Sequence, residues 1–274
     1  MKRFKKILIF VFFTAVIVAT GFFWLNKKYA SRFNLEKERF TQKIRQRIAL
    51  NELSAETGPG INQPAADNNS LNEKKAVPAK HLLAMPFYSQ APNGNWNAFH
   101  EDMCEEASLL NAGLYLENKK LSLKKYDDEL RALQKIEKEE IGEWKSTTIS
   151  QIKKLADIYF DGRIKTKIID NPTISQIEAE IAAGWPADEA GNPVIVPLAG
   201  RDIGNPNYRQ PGPIYHMLVV KGYNEKYFIT NDVGTRKGDS YVYKKNVIMD
   251  NIHDWDERDI HLGTKRVLVL IKNN

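Results

Sequence analysis

A single cysteine, Cys104, in 274 residues excludes an intramolecular disulfide, so the fold must be held by burial alone. Positive charge is missing where a nucleic-acid-binding domain would need it. Residues 1–80 carry 15 Lys/Arg against 6 Asp/Glu, a net of +9, whereas residues 81–274 carry 25 against 28, a net of −3. The pI of about 9.1 therefore belongs to the N-terminal tail, and the rest of the chain has no basic excess to neutralise phosphates. No internal repeat is visible. No Gly-x-x-x-x-Gly-Lys-Ser/Thr loop is present to cradle a nucleotide. His253, Asp254, Asp256, Asp259 and His261 are close in sequence but lack the compact spacing of a metal-ligand set. Neither a metal nor another cofactor is expected.

The long apolar run that does occur is at the N-terminus. Lys2, Arg3, Lys5 and Lys6 (basic N-terminus, 1–6) precede residues 7–25, where only Thr14, Thr20 and Gly21 interrupt large apolar side chains and Ala. As a helix this run spans about 28 Å, close to a bilayer core. A cleaved signal peptide is the competing interpretation, but the run exceeds the usual core length and no small-x-small site precedes Phe22-Phe23-Trp24. A retained, single-pass transmembrane anchor is favoured. Cations are almost as dense after the span as before it, so charge alone does not orient it. Residues 26–56 form a charged stretch with Phe40, Ile44 and Ile48 at four-residue spacing, predicting a helical stalk. Residues 57–80 turn to Gly, Pro, Asn, Ala and Ser and read as a flexible linker. The globular domain is then 81–274, with 42% hydrophobic residues in the whole chain, enough to build a core.

Within that domain, 82–89 predicts a strand or extended entry, followed by turn chemistry through Gln90-Ala91-Pro92-Asn93-Gly94-Asn95-Trp96. Helical patterns follow: one starting near Cys104, then about 122–140, 148–160 and 173–183, the last two opening on Thr or Ser caps. Strand-like patterns come after them, at 194–198, 216–222, 227–231, 241–243 and 266–272, with a long Gly-, Pro- and Asn-rich loop over 200–213. Helices first and an antiparallel sheet second predict an α+β domain.

The chemistry centres on the lone thiol. Asp102 as N-cap and Glu105 three residues later match a capping box, which would put Cys104 in the first helical turn. There the helix dipole favours the thiolate, the attacking form, while Glu105 and Glu106 oppose it by like charge. A thiol nucleophile needs a base and a group that orients the base. A hairpin turn near Asn224 that pairs Lys221 with Tyr227 would set His216 directly across from Asp232. A one-residue slip would substitute Asn231, so both remain candidate orienters. Gln90, fourteen residues before Cys104, is a candidate to donate its side-chain amide to an oxyanion, beside the Cys104 backbone N–H.

Pro86-Phe87-Tyr88-Ser89-Gln90, Trp96, Cys104-Glu105-Glu106-Ala107-Ser108, His216 to Tyr223 and Asn231-Asp232-Val233-Gly234-Thr235 together resemble the papain-like peptidases related to bacteriocin-leader-processing, or double-glycine, peptidases. The resemblance implies a papain-like fold with a helical lobe carrying the cysteine and a β lobe carrying the histidine. It also implies Cys104 as nucleophile, His216 as general base, Asp232 as orienter and Gln90 as oxyanion donor. The chain departs from the family at Glu105-Glu106, where Gly-Pro is common, and at Val233, where Pro is common. The expected protein is a membrane-anchored bacterial cysteine peptidase with its C-terminal domain outside the cytoplasm and a peptide or protein, including cell-wall peptide, as substrate. A cell-wall amidase or transpeptidase-like thiol enzyme is the first alternative, and a catalytically degenerate peptide-binding domain the second.

Overall fold

A computed structural model of the chain describes residues 77–142, 146–184 and 191–273. The anchor expected at 7–25, the stalk at 26–56 and the linker up to residue 76 lie outside them. Among the described residues no helix is long and apolar enough to cross a membrane.

The described chain is an α+β domain built on one antiparallel sheet. Its strands are β1 (His81–Leu82), β2 (Ile164–Asp170), β3 (Val194–Ala199), β4 (Tyr215–Tyr223), β5 (Tyr227–Asn231), β6 (Tyr241–Lys244) and β7 (Arg266–Lys272). They lie in the order β2-β7-β3-β4-β5-β6, with β1 added to the far end of β4. The central strands β3 and β4 are buried at every position, which is why they read as continuous apolar runs. Their alternate side chains serve two cores. Ile195, Met217, Val219, Leu268 and Leu270 face the helices α1 (Cys104–Leu116), α2 (Leu123–Glu140) and α3 (Ile149–Phe160). Val194, Val196, Leu198, Leu218 and Val220 face the smaller α4 (Ile174–Ile181) and α5 (Lys245–Asn251).

The Thr148 and Thr173 caps form as expected, each closing a capping box with a Gln three residues on. Helix α1 is buried at every position except Tyr115 and is the central helix of its layer. It packs closely against α3 at Gly113, where a Cβ would lie 2.3 Å from Cζ of Phe160.

Four sequence expectations are corrected. The Asp102–Glu105 capping box does not form: a turn of 3-10 helix occupies His100–Asp102, Met103 is the N-cap, and no side chain caps α1. Of the 82–89 region only Leu82 lies in a strand, beside His81 in β1, so the strand alternative fails for the rest of it. The helices do not all precede the sheet, because β2 intervenes between α3 and α4 and pairs with the C-terminal β7. Finally, the β4–β5 hairpin has a different register. Asn231 lies opposite Val219 rather than Met217, so Asp232 follows the ladder and is not paired across from His216.

Candidate active site

The first turn of α1 abuts β4 where the sheet opens. The β4–β5 ladder ends at Val219 and Asn231, and the Met217 backbone N–H, one residue beyond His216, faces the Cys104 sulfur. Cys104 is 7% exposed, and its thiol donates to Oε2 of Glu105 at 2.9 Å. Burial pushes the thiol pKa up, the adjacent Glu105 carboxyl adds to that, and the Met217 amide works against it.

His216 and Asp232 meet despite the altered register. Nε2 of His216 donates to Oδ1 of Asp232 at 2.9 Å, and both side chains are almost wholly buried. After Asn231 the chain curls, with Asp232 N–H donating to the Gly238 carbonyl and Gly234 N–H donating to Oδ1 of Asp232. The other carboxylate oxygen, Oδ2, accepts hydrogen bonds from Asn205 Nδ2 (2.8 Å), Tyr208 OH (2.7 Å) and Tyr243 OH (2.6 Å). Burial alone would raise the Asp232 carboxyl. The facing His216, then the Tyr243 and Tyr208 hydroxyls, outweigh it and hold its pKa below the ordinary value.

The imidazole is confined as well. The Tyr208 ring meets it edge-on at 5.3 Å, and a Cβ on Gly234 would fall 2.7 Å from Cε1 of His216. Asn231 is turned elsewhere, its amide donating to the Pro86 carbonyl. Of the two candidate orienters, Asp232 is the one in contact with His216.

Gln90 is held beside this cluster by its backbone N–H, which donates to the Val233 carbonyl. Its Nε2 donates to the carbonyls of His100 (2.8 Å) and Glu101 (3.1 Å), in the turn that leads into Cys104. Oε1 of Gln90 is buried without a hydrogen-bond partner. The entry turn is fastened further by His100, whose Nε2 contacts Asp127 of α2 at 2.5 Å and whose Nδ1 faces Asn97 at 3.1 Å.

Three buried carboxyls line the inner side of α1. Glu105 Oε1 accepts the Thr147 backbone N–H at 3.2 Å. Burial raises the Glu105 pKa to about 8. Glu106 and Glu137 of α2 face each other as a fully buried pair, and burial followed by that pairing raises the Glu106 pKa well above the ordinary carboxyl range. The His253–His261 segment holds structural contacts: Asp254 Oδ1 accepts the Ile149 and Trp255 amides, and exposed His261 bridges Asp202 and Asp259. Among the described residues, no group of three His, Cys, Asp or Glu side chains is arranged to hold a metal.

Asn205, Tyr208 and Tyr243 did not emerge from the sequence as site residues. The usable signal was Tyr241 and Tyr243 alternating in one strand, since buried tyrosine hydroxyls need partners. Nothing in the spacing of the 200–213 loop marks Asn205 or Tyr208.

A helix-borne thiol, a strand-borne imidazole and a carboxylate just past the end of the neighbouring antiparallel strand are the parts of the papain-like class. The profile of the Peptidase_C39 like family matches residues 82–258, well over half of the chain, and the protein belongs to that family of papain-like cysteine peptidases. A crystal structure described as a C39-like peptidase from Bacillus anthracis is similar to this chain, with a TM-score of 0.45 and 14% identity over 71% of this chain and 98% of that one. No curated protein matches the sequence.

Proposed function

We propose that the chain is a cysteine peptidase in which Cys104 is the nucleophile, His216 the general base and Asp232 its orienter. The observation that carries this is the juxtaposition on β4: the buried His216–Asp232 pair lies one residue from the Met217 amide that faces the Cys104 sulfur. Because Asp232 engages Nε2, Nδ1 is the ring nitrogen left to take the thiol proton. The thiolate attacks the peptide carbonyl, the C–N bond breaks as the imidazolium protonates the leaving amine, and water then hydrolyses the thioester with His216 as base. Gln90 would serve the oxyanion by giving up its longer bond, to Glu101, while the Cys104 N–H supplies a second donor. The substrate is a peptide or protein, and residues 7–25 anchor the enzyme so that the domain faces outward, a placement supported by the apolar run and the linker.

One observation favours a second reading, a peptide-binding domain without catalysis: the thiol proton is directed at Glu105 and burial disfavours the thiolate. Iodoacetamide alkylation of Cys104 in the full-length chain, compared with His216→Ala, separates the two. The peptidase requires a thiol that reacts well below the free-cysteine pKa of about 8.5 and loses that reactivity in the variant. A thiol that reacts only above that pH, alike in both proteins, would leave the binding domain.

A further inference from the structure

We infer that Glu105 is a positioning residue for the nucleophile, its neutral carboxyl donating a hydrogen bond to the Cys104 thiolate and its ionised form recapturing the thiol proton. The inference rests on the catalytic trio proposed above and adds a fourth group to it.

The geometry that supports it is the division of labour between the two carboxyl oxygens. Oε1 receives the Thr147 backbone N–H at 3.2 Å, a bond that favours it as the carbonyl oxygen of the neutral acid, and the carboxyl also accepts the Glu105 backbone N–H. A proton on the acid therefore sits on Oε2, the oxygen 2.9 Å from the sulfur. Neutral Glu105 is thus an O–H donor aimed at Sγ, alongside the Met217 N–H. Once His216 has taken the thiol proton, the charge on sulfur has two donors facing it, and donors to a charged form stabilise that form. When Glu105 loses its own proton, Oε2 becomes a charged acceptor. It then holds the S–H and repels a thiolate.

The surroundings set which form prevails. Glu105 is 1% exposed. The titratable groups facing it among the described residues are Cys104 and Glu106 on its own helix, Glu137 on α2 and Tyr215 on β4. Tyr215 donates to the Thr147 carbonyl at 2.9 Å and approaches Asp254, a further carboxyl, at 3.5 Å. None of these groups is a cation. Burial outweighs the lowering pull of the Cys104 contact and of the Glu105 and Thr147 backbone N–H groups, and with a smaller contribution from Glu137 it raises the Glu105 pKa to about 8. The adjacent carboxyl is therefore compatible with a thiolate at neutral pH, because it is a carboxylic acid there.

The test is the pH profile of Cys104 alkylation by iodoacetamide in the full-length chain, from about pH 5 to 10, for wild type, Glu105→Gln and His216→Ala. In wild type the rate should rise and then fall away above about pH 8, as Glu105 ionises. Glu105→Gln can keep its carbonyl on Thr147 and an N–H on sulfur at every pH, so its alkaline fall should vanish. At about pH 9 it should react about tenfold faster than wild type, one pKa unit of thiol stabilisation. A wild-type rate that climbs steadily through about pH 9.5 overturns the inference even if the variant fails to fold. So does a Glu105→Gln profile superimposable on wild type. His216→Ala reports separately: loss of reactivity there with superimposable Glu105 profiles would leave the trio standing and remove only Glu105.

Discussion

Replacing Tyr243 by Phe removes one hydroxyl and little volume, and so isolates one of the three donors on Oδ2 of Asp232. The bond is 2.6 Å long, between fully buried groups, to a carboxylate. Hydrogen bonds to charged groups contribute about 1.5–3 kcal/mol. For a domain of this size each kcal/mol lowers Tm by roughly 2–4 °C, so Tyr243→Phe should melt roughly 3–12 °C lower at neutral pH. The change also alters pH dependence, with a sign fixed by linkage. The folded-state pKa of Asp232 lies below its ordinary value. Its stabilisation is therefore present above the unfolded pKa and is lost as pH falls through the folded one. With one donor gone the folded pKa rises toward the unfolded one, so the acid loss, which begins at the same unfolded pKa, is smaller in the variant and is complete at a higher pH. Thermal melts followed by circular dichroism over the acid range test both effects. A Tm at neutral pH within about 1 °C of wild type would refute the assignment of stabilising weight to this cluster.

Two further substitutions address neighbouring features. Gly234→Ala would press a Cβ to 2.7 Å from the His216 ring; displacing a reacting group by about 1 Å can cost on the order of 100-fold, so peptide-cleavage kcat/KM should drop to that extent. A variant retaining full kcat/KM would show that the ring has room to spare. Glu106→Gln should stabilise the protein increasingly as pH rises: the folded pKa of Glu106 is raised by burial, so above the unfolded value the native state holds a proton that the unfolded chain has released, and wild type loses stability through that window. Melts that show the same pH slope for both proteins would refute this.

The parts of the fold legible in the sequence were those whose periodicity matched their burial. β3, β4 and β7 read as strands because they are apolar on both faces, and α3 and α4 announced themselves through Thr caps. β2 is not legible because Lys165 and Lys167 alternate with smaller residues on an edge strand, where charge is tolerated and the apolar signal is weak. The hairpin register departs from expectation at its turn, where Tyr223 pairs with Phe228, and an irregularity between Val220 and Gly222 then shifts it by one residue; there β1 packs so closely that a Cβ on Gly222 would lie 2.8 Å from the His81 carbonyl oxygen. The His216–Asp232 contact survives the shift because Asp232 lies past the ladder and turns back toward the ring. The proposed trio of Cys104, His216 and Asp232 was nominated from residue type and order, while the Oδ2 donors depend on how a long loop folds back. Glu105 illustrates the opposite case. A capping role fits its spacing, but its carboxyl points inward to sulfur and Thr147, a choice made by burial.

The central claim, a Cys104-dependent peptidase, is tested most directly by incubating the full-length protein with a proteome-derived peptide mixture and reading new termini by mass spectrometry, in parallel with Cys104→Ala. The account predicts new termini with wild type and none with the variant. Identical termini from both proteins, or none from either, would contradict it.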